Sequence, residues 1–281
     1  MKTWINTSAI AATFAATSLI FSATAIAETT LERVQRTGEI RVGYANESPF
    51  AYTRADGTVT GESPEIAREV LKTIGVTKVD AVLTEWGALI PGLLAGRFDI
   101  IAAGMYVTPE RAKQVLFTDP HYQIADTLLV AKGNPHKLNS YASFVENKKM
   151  KLAIMSGTAE YAYAREAGIP DSQIMQVPNN IAQLQAVRTR RAQAAVGTDL
   201  TMKGLAVKGG KRVQTIDQFV DDPAHTGYGA LAFRRDDQDL RNAVNGALKT
   251  WIGSDSHLAT VAPFGFDRSN LTTKTVEEIT N

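Results

Sequence analysis

Two rhythms of apolar residues alternate along this chain. Short, nearly continuous apolar runs bounded by glycine, proline or polar pairs read as strands. Stretches with an apolar residue every third or fourth position read as helices. A short helical lead-in over 31–36 precedes a first strand over 39–44. Asp56-Gly57 marks a turn, and Ser63-Pro64-Glu65 opens a helix over 66–74 that Gly75 ends. A second strand covers 79–83. Trp86 then begins a helix with Leu89, Ile90, Leu93 and Leu94 on one face, stopped at Gly96. The run 98–103 suits a buried strand ending at Gly104. Further strands are expected over 125–132, 151–154, 174–177, 194–199 and 225–233. Between them, Ser143-Phe144 starts a short helix. Asn180 caps a helix with Ile181, Leu184 and Val187 inward, and 236–252 is amphipathic through Leu240, Val244, Leu248 and Trp251. Strands alternating with helices predict an α/β fold built on largely parallel sheets.

The stretch after Gly104 carries the candidate chemistry. Thr108 followed by Pro109 is a helix start: threonine can cap and proline is tolerated at the first helical position. Glu110 suits the first turn, and Arg111 stands beside free helix N–H groups. A guanidinium there is either a receptor for a carboxylate or a plain surface arginine. A second arrangement of this kind follows strand 151–154. Gly157-Thr158 precedes a helix, and Thr158 either helps hold an anion or only caps its own helix.

Composition narrows the class. At 281 residues the chain can form two modest domains. A net charge of +1 gives no electrostatic case for nucleic acid or an anionic membrane. The absence of cysteine excludes disulfides and thiol chemistry. Residues 1–27 begin with Lys2, continue through a largely apolar run over 9–21, and end in Ala25-Ile26-Ala27. That pattern predicts a signal peptide cleaved before Glu28. No later run is long enough to span a bilayer, so a soluble exported protein is expected. The histidines His121, His136, His225 and His257 have no metal-ligand spacing and are read as surface or loop residues. No metal, cofactor or catalytic residue is expected.

The segment from Gly104 to Pro120, with Thr108-Pro109-Glu110-Arg111 at its centre, resembles the signature of periplasmic solute-binding proteins of the polar-amino-acid class, which feed ABC importers. Tyr228-Gly229-Ala230 and the segment 240–248 extend the resemblance, which covers nearly all of 31–270. It implies the two-lobed type II periplasmic-binding-protein fold, each lobe a mixed, mostly parallel sheet flanked by helices. Crossings at about 127–132 and 227–232 would make 28–128 with 229–281 the first lobe and 129–228 an inserted second lobe. It further implies a monomer that closes by a hinge around a small solute and docks on the transmembrane subunits of an ABC permease. By the same resemblance, Thr108, Arg111, Gly157 and Thr158 hold the ligand carboxylate and Phe50 stacks on the ligand. Gly104 opens the signature. Asn180 and Asp199 are candidate ligand contacts that equally well cap helices, Asp199 being the expected acceptor of an amino-acid ammonium.

Three aromatics, Phe50, Trp86 and Tyr106, can converge with Glu47 on that site. Ring faces suit a diffuse, poorly hydrated cation better than a primary ammonium, each contributing roughly 0.5–2 kcal/mol. This set, with Gly61 to Ala67 and the aromatic after Gly104-Met105, resembles the ectoine- and hydroxyectoine-binding branch. Where this chain has Trp86, related boxes can use tyrosine. A polar amino acid held by Asp199 is the alternative ligand. A periplasmic dehydratase for cyclic acids, with Glu47 or Asp199 moving a proton, is the enzyme alternative.

Overall fold

The computed structural model describes residues 27–281, so the predicted signal peptide lies outside the described residues except for Ala27. Two sheets organise the chain. The first runs in the order Lys78–Leu83, Glu39–Tyr44, Ile100–Tyr106, Gly227–Phe233 and Leu116–Phe117, with Tyr122–Ile124 also on Gly227–Phe233. Its first three strands are parallel, and Gly227–Phe233 runs against them. The second has the order Ile174–Val177, Leu152–Met155, Ala194–Thr198, Asp126–Ala131 and Val213–Thr215. The chain leaves the first sheet between Ile124 and Asp126 and returns to it at Gly227. Two lobes result, with the strands of 126–215 in the second.

The apolar runs become strands covered on both faces. Every residue of Ile100–Tyr106 is buried, as expected for the middle of a parallel sheet. Helix Glu62–Lys72 lays Ile66, Ala67, Val70 and Leu71 on this sheet, and helix Gln238–Trp251 adds Leu240, Val244 and Leu248. Each such side chain contributes roughly 1.5–3 kcal/mol on burial. Asp99, 1% exposed, anchors the other end of the sheet. Arg33 and Arg41 each reach it at 3.0 Å and Arg234 at 3.3 Å. Burial alone would raise its pKa; bonds from the Arg41 side chain and backbone, with the charge of Arg33, more than offset that and hold it below the usual carboxylate range.

Several expectations need correction. The strand beginning near residue 98 does not end at Gly104 but continues to Tyr106, because Met105 and Tyr106 pair with Ala230 and Gly229. Asn179, not Asn180, caps helix Asn180–Arg188, accepting a bond from the Ala182 N–H. Ile181 is exposed, while Leu184 and Val187 are buried as expected. His121 and His257 are buried rather than superficial, and His121 Nδ1 lies 2.7 Å from Glu62 Oε1. His225 is also largely covered, stacked on Tyr163 and bonded to Asp221. In each case the ring fills a space that spacing alone does not reveal. No described helix is long and apolar enough to cross a membrane.

Candidate functional site

The carboxyl ends of the parallel strands of both sheets face one another, the position where open α/β sheets bind ligands. Each strand delivers a side chain just past its end. Glu47 and Phe50 follow Glu39–Tyr44, Trp86 follows Lys78–Leu83, and Arg111 follows Ile100–Tyr106. From the second lobe come Thr158 and Glu160 after Leu152–Met155, and Asn180 after Ile174–Val177. They line one cavity with Gly104, Tyr106, Met155, Gln183 and Thr198. With the lobes drawn together its free volume is about 20 Å³, roughly enough for one water molecule. A solute can enter only if the lobes part.

Glycine shapes the first wall. Gly104 has φ +72°, and a Cβ there would lie 2.5 Å from the Phe50 ring. The strand can therefore pass against Phe50, whose other contacts are the rings of Tyr122 at 5.3 Å and Phe266 at 5.5 Å. The Tyr106 ring rests on Gly227, and its hydroxyl donates to Asp126 Oδ1 at 3.2 Å. Thr108 caps helix Pro109–Ala112 by accepting from the Arg111 N–H at 3.3 Å. The cap aims Arg111 inward, but Thr108 itself does not line the cavity.

Arg111 is buried and makes no ion pair within 4.0 Å among the described residues. Its Nη1 donates to the Tyr106 carbonyl at 2.8 Å and its Nη2 to the Gly157 carbonyl at 3.0 Å. The guanidinium also sits 5.8 Å from the Trp86 ring centre, within cation–π range. Trp86 Nε1 donates to the same Gly157 carbonyl at 3.2 Å. Two groups of the first lobe thus hold one backbone oxygen of the second. The Thr158 hydroxyl is turned back onto the Met155 carbonyl at 3.0 Å.

Opposite Arg111 the cavity is acidic. Glu47 Oε1 accepts from Asn180 Nδ2 at 3.3 Å and from Thr201 Oγ1 at 3.1 Å, again across the lobes. Asn180 Oδ1 is buried with no partner among the described residues. Burial, then the charge of Glu160, pushes Glu47 up to about 7, against the bonds from Thr201 and Asn180. Burial also raises Glu160, opposed by Thr158 and Arg111, and it raises Asp126 beside Tyr106. Arg111, lowered by burial, is supported by Glu160. Arg111 shares the cavity with two buried carboxyl groups, Glu47 and Glu160, so a ligand that brings positive charge suits it.

Of the eleven residues singled out from the sequence, Glu47, Phe50, Trp86, Gly104, Tyr106, Arg111, Thr158 and Asn180 line the cavity, and Gly157 touches it through its carbonyl. Asp199 does not join them. It opens helix Asp199–Gly209, and its carboxylate pairs with Lys203 at 2.6 Å on the outside. The backbone turns from strand to helix at Thr198, which points in and leaves Asp199 pointing out. Glu160 and Gln183 also line the cavity, and the sequence around them carries no motif that points to it. Glu160 sits in the first turn of a helix, where an acid looks like a partner for the dipole. Its charge acts on Arg111 from the other lobe and leaves no local pattern.

Comparison with known proteins gives a consistent picture. Residues 40–261 match the bacterial extracellular solute-binding proteins, family 3. A probable amino-acid ABC transporter periplasmic-binding protein of Sinorhizobium fredii is 34% identical over 262 residues, covering 92% of this chain and 87% of that protein. The crystal structure of EhuB in complex with hydroxyectoine superposes with a TM-score of 0.84 at 32% identity, covering 90% of this chain and 98% of that one. An ancestral amino acid-binding protein, a precursor of cyclohexadienyl dehydratase, has a TM-score of 0.73 at 31% identity, covering 84% and 99%. The common architecture is the two-lobed type II periplasmic-binding fold.

Proposed function

This chain belongs to family 3 of the bacterial extracellular solute-binding proteins, and from that premise we propose that it captures a small zwitterion, ectoine or 5-hydroxyectoine, in the periplasm for an ABC importer. One observation carries the ligand assignment. A buried guanidinium without a carboxylate partner shares a cavity with three aromatic rings, Phe50, Trp86 and Tyr106, and with Glu47. Arg111 and Thr158 take the carboxylate, which replaces the Gly157 carbonyl at the guanidinium. Thr108 contributes by holding the turn that aims Arg111. Glu47 and the unpartnered Asn180 Oδ1 accept the ring N–H groups, while the ring faces enclose the delocalised positive charge. The likeness to the hydroxyectoine complex supports the same reading.

Capture proceeds by closure. Glu47, Phe50, Trp86 and Arg111 belong to one lobe, and Thr158, Glu160 and Asn180 to the other. A solute touching both sets binds the closed form better and shifts the population towards it by that difference. The segments at Ala125 and around Thr226, where the chain passes between sheets, are the proposed hinge. The closed monomer, exported through a cleavable signal peptide, then presents both lobes to the permease.

A second reading rests on the acidic surplus. With Glu47 and Glu160 lining the same cavity as one arginine, a cationic amino acid also fits its charge. Isothermal titration of residues 28–281 separates the two. Ectoine and hydroxyectoine saturate the protein if the proposal holds, and Phe50→Ala and Tyr106→Ala each weaken them. Binding of arginine or lysine with no response to ectoines sinks the ectoine assignment and leaves the family intact.

A further inference from the structure

The second lobe carries a basic groove far from the cleft, at the opposite end of its strands. It has a volume of about 730 Å³ and is lined by Lys132, His136, Arg188, Arg190 and Arg212 with no acidic residue. Small-molecule sites commonly span about 300–1,000 Å³. Three elements meet there: the end of strand Asp126–Ala131, the end of helix Asn180–Arg188 and the start of strand Val213–Thr215. The Lys132 N–H donates to the Arg212 carbonyl at 3.0 Å, so the two walls are fixed to each other.

Arginines in this molecule fall into two groups, and some outside the groove, Arg111 and Arg241 among them, also form no ion pair among the described residues. Arg33, Arg41, Arg68, Arg234 and Arg268 each reach a carboxylate. Lys132, Arg188, Arg190 and Arg212 form no ion pair among the described residues, and Arg188 Nε is buried without any acceptor. Arg190 has φ +61° just past the end of its helix, where glycine is the usual residue because a Cβ disfavours that conformation. The turn at Arg190 is closed by the Arg191 N–H donating to the Ala186 carbonyl at 2.9 Å, and it places Arg190 on the groove beside Arg188, whose Nε has no acceptor among the described residues. Guanidinium forks match the oxygens of a phosphate group in pairs.

We propose that this groove binds a multivalent, phosphate-bearing oxyanion, a site separate from the solute cleft. The anion bridges Arg188 and Arg190 on one side and Lys132 and Arg212 on the other. Its source is either a free phosphate compound or the headgroup of an anionic lipid, and two arms of one experiment tell these apart. Residues 28–281 are titrated calorimetrically with sodium pyrophosphate at low salt. The same protein is sedimented with vesicles of phosphatidylglycerol or of phosphatidylcholine. Arg188→Gln/Arg190→Gln and, independently, Lys132→Gln/Arg212→Gln are compared with the native chain and with Arg165→Gln, whose side chain already pairs with Asp171. Saturable pyrophosphate binding that falls at least about tenfold in both double variants, weakens with added salt and persists in Arg165→Gln supports a free anion. Sedimentation with phosphatidylglycerol alone, lost in both double variants, supports a headgroup. Circular dichroism and unchanged solute binding in the cleft verify that the variants fold. Absence of binding in both arms, or binding that both folded double variants retain, overturns the proposal.

Discussion

With Glu47 as the proposed acceptor of ligand N–H groups, solute binding is expected to depend on pH. The Glu47 carboxyl is moved from 4.5 to about 7 by burial and by Glu160. A ligand N–H that needs the carboxylate must first displace its proton. With a pKa of about 7, only roughly one molecule in 30 is ionised at pH 5.5, against roughly nine in ten at pH 8. The affinity for ectoine is therefore expected to fall roughly 30-fold between those values, and binding at pH 6 to release close to one proton. Calorimetry in two buffers of different ionisation heat measures both quantities. The stability of the ligand-free protein runs the other way. A carboxyl whose pKa is higher folded than unfolded favours the fold when protonated. Glu47 therefore contributes most below pH 4.5, and that contribution is lost as pH rises through about 7, a change of about 3 kcal/mol. Glu47→Gln is expected to flatten both dependences. An affinity that stays level from pH 5.5 to 8, or a slope that survives in Glu47→Gln, refutes the reasoning.

Other perturbations follow from the same geometry. Gly104→Ala places a Cβ 2.5 Å from the Phe50 ring at φ +72° and is expected to cost about 1–3 kcal/mol in chemical denaturation, with weaker solute binding; an unchanged midpoint counts against the packing described. Arg111→Lys keeps the charge but loses the fork, and titration should find solute affinity lowered roughly 10–100-fold. Asp199→Ala breaks an outward ion pair with Lys203 and is expected to change affinity less than twofold; a large loss would restore Asp199 to the site. Asp99→Ala leaves Arg33, Arg41 and Arg234 without their shared carboxylate, and unfolding curves should show a loss of about 3–5 kcal/mol.

Local patterns carried much of the fold. The run at 174–177 is strand Ile174–Val177, and Thr108-Pro109 starts helix Pro109–Ala112 with the threonine as its cap. Such features depend on neighbours in the chain, and the sequence contains those neighbours. Strand Ile100–Tyr106 outran its expected end because Gly104, which looks like a stop, takes a left-handed conformation within the strand and makes room for Phe50. Among the cavity-lining residues, Glu47, Phe50 and Arg111 stand at fixed offsets from strand ends and so leave a local pattern. Glu160 and Gln183 leave none, since their roles depend on groups far away in sequence. Asp199 misled because a strand ending in an acid places that acid inward or outward according to one residue of register.

Thr201 lies outside the cavity wall, yet its hydroxyl reaches Glu47 at 3.1 Å and the Ser48 carbonyl at 3.3 Å from the other lobe. It therefore ties one lobe to the other at a residue that lines the cavity. Apparent affinity is the intrinsic affinity scaled by the closed fraction. Loosening this latch, as in Thr201→Val, removes both a tie between the lobes and a bond that holds the Glu47 carboxyl down. Solutes that use the Glu47 carboxylate should weaken more than solutes that do not. A sensor built on this chain would therefore change its working range and its choice of analyte together when Thr201 is altered.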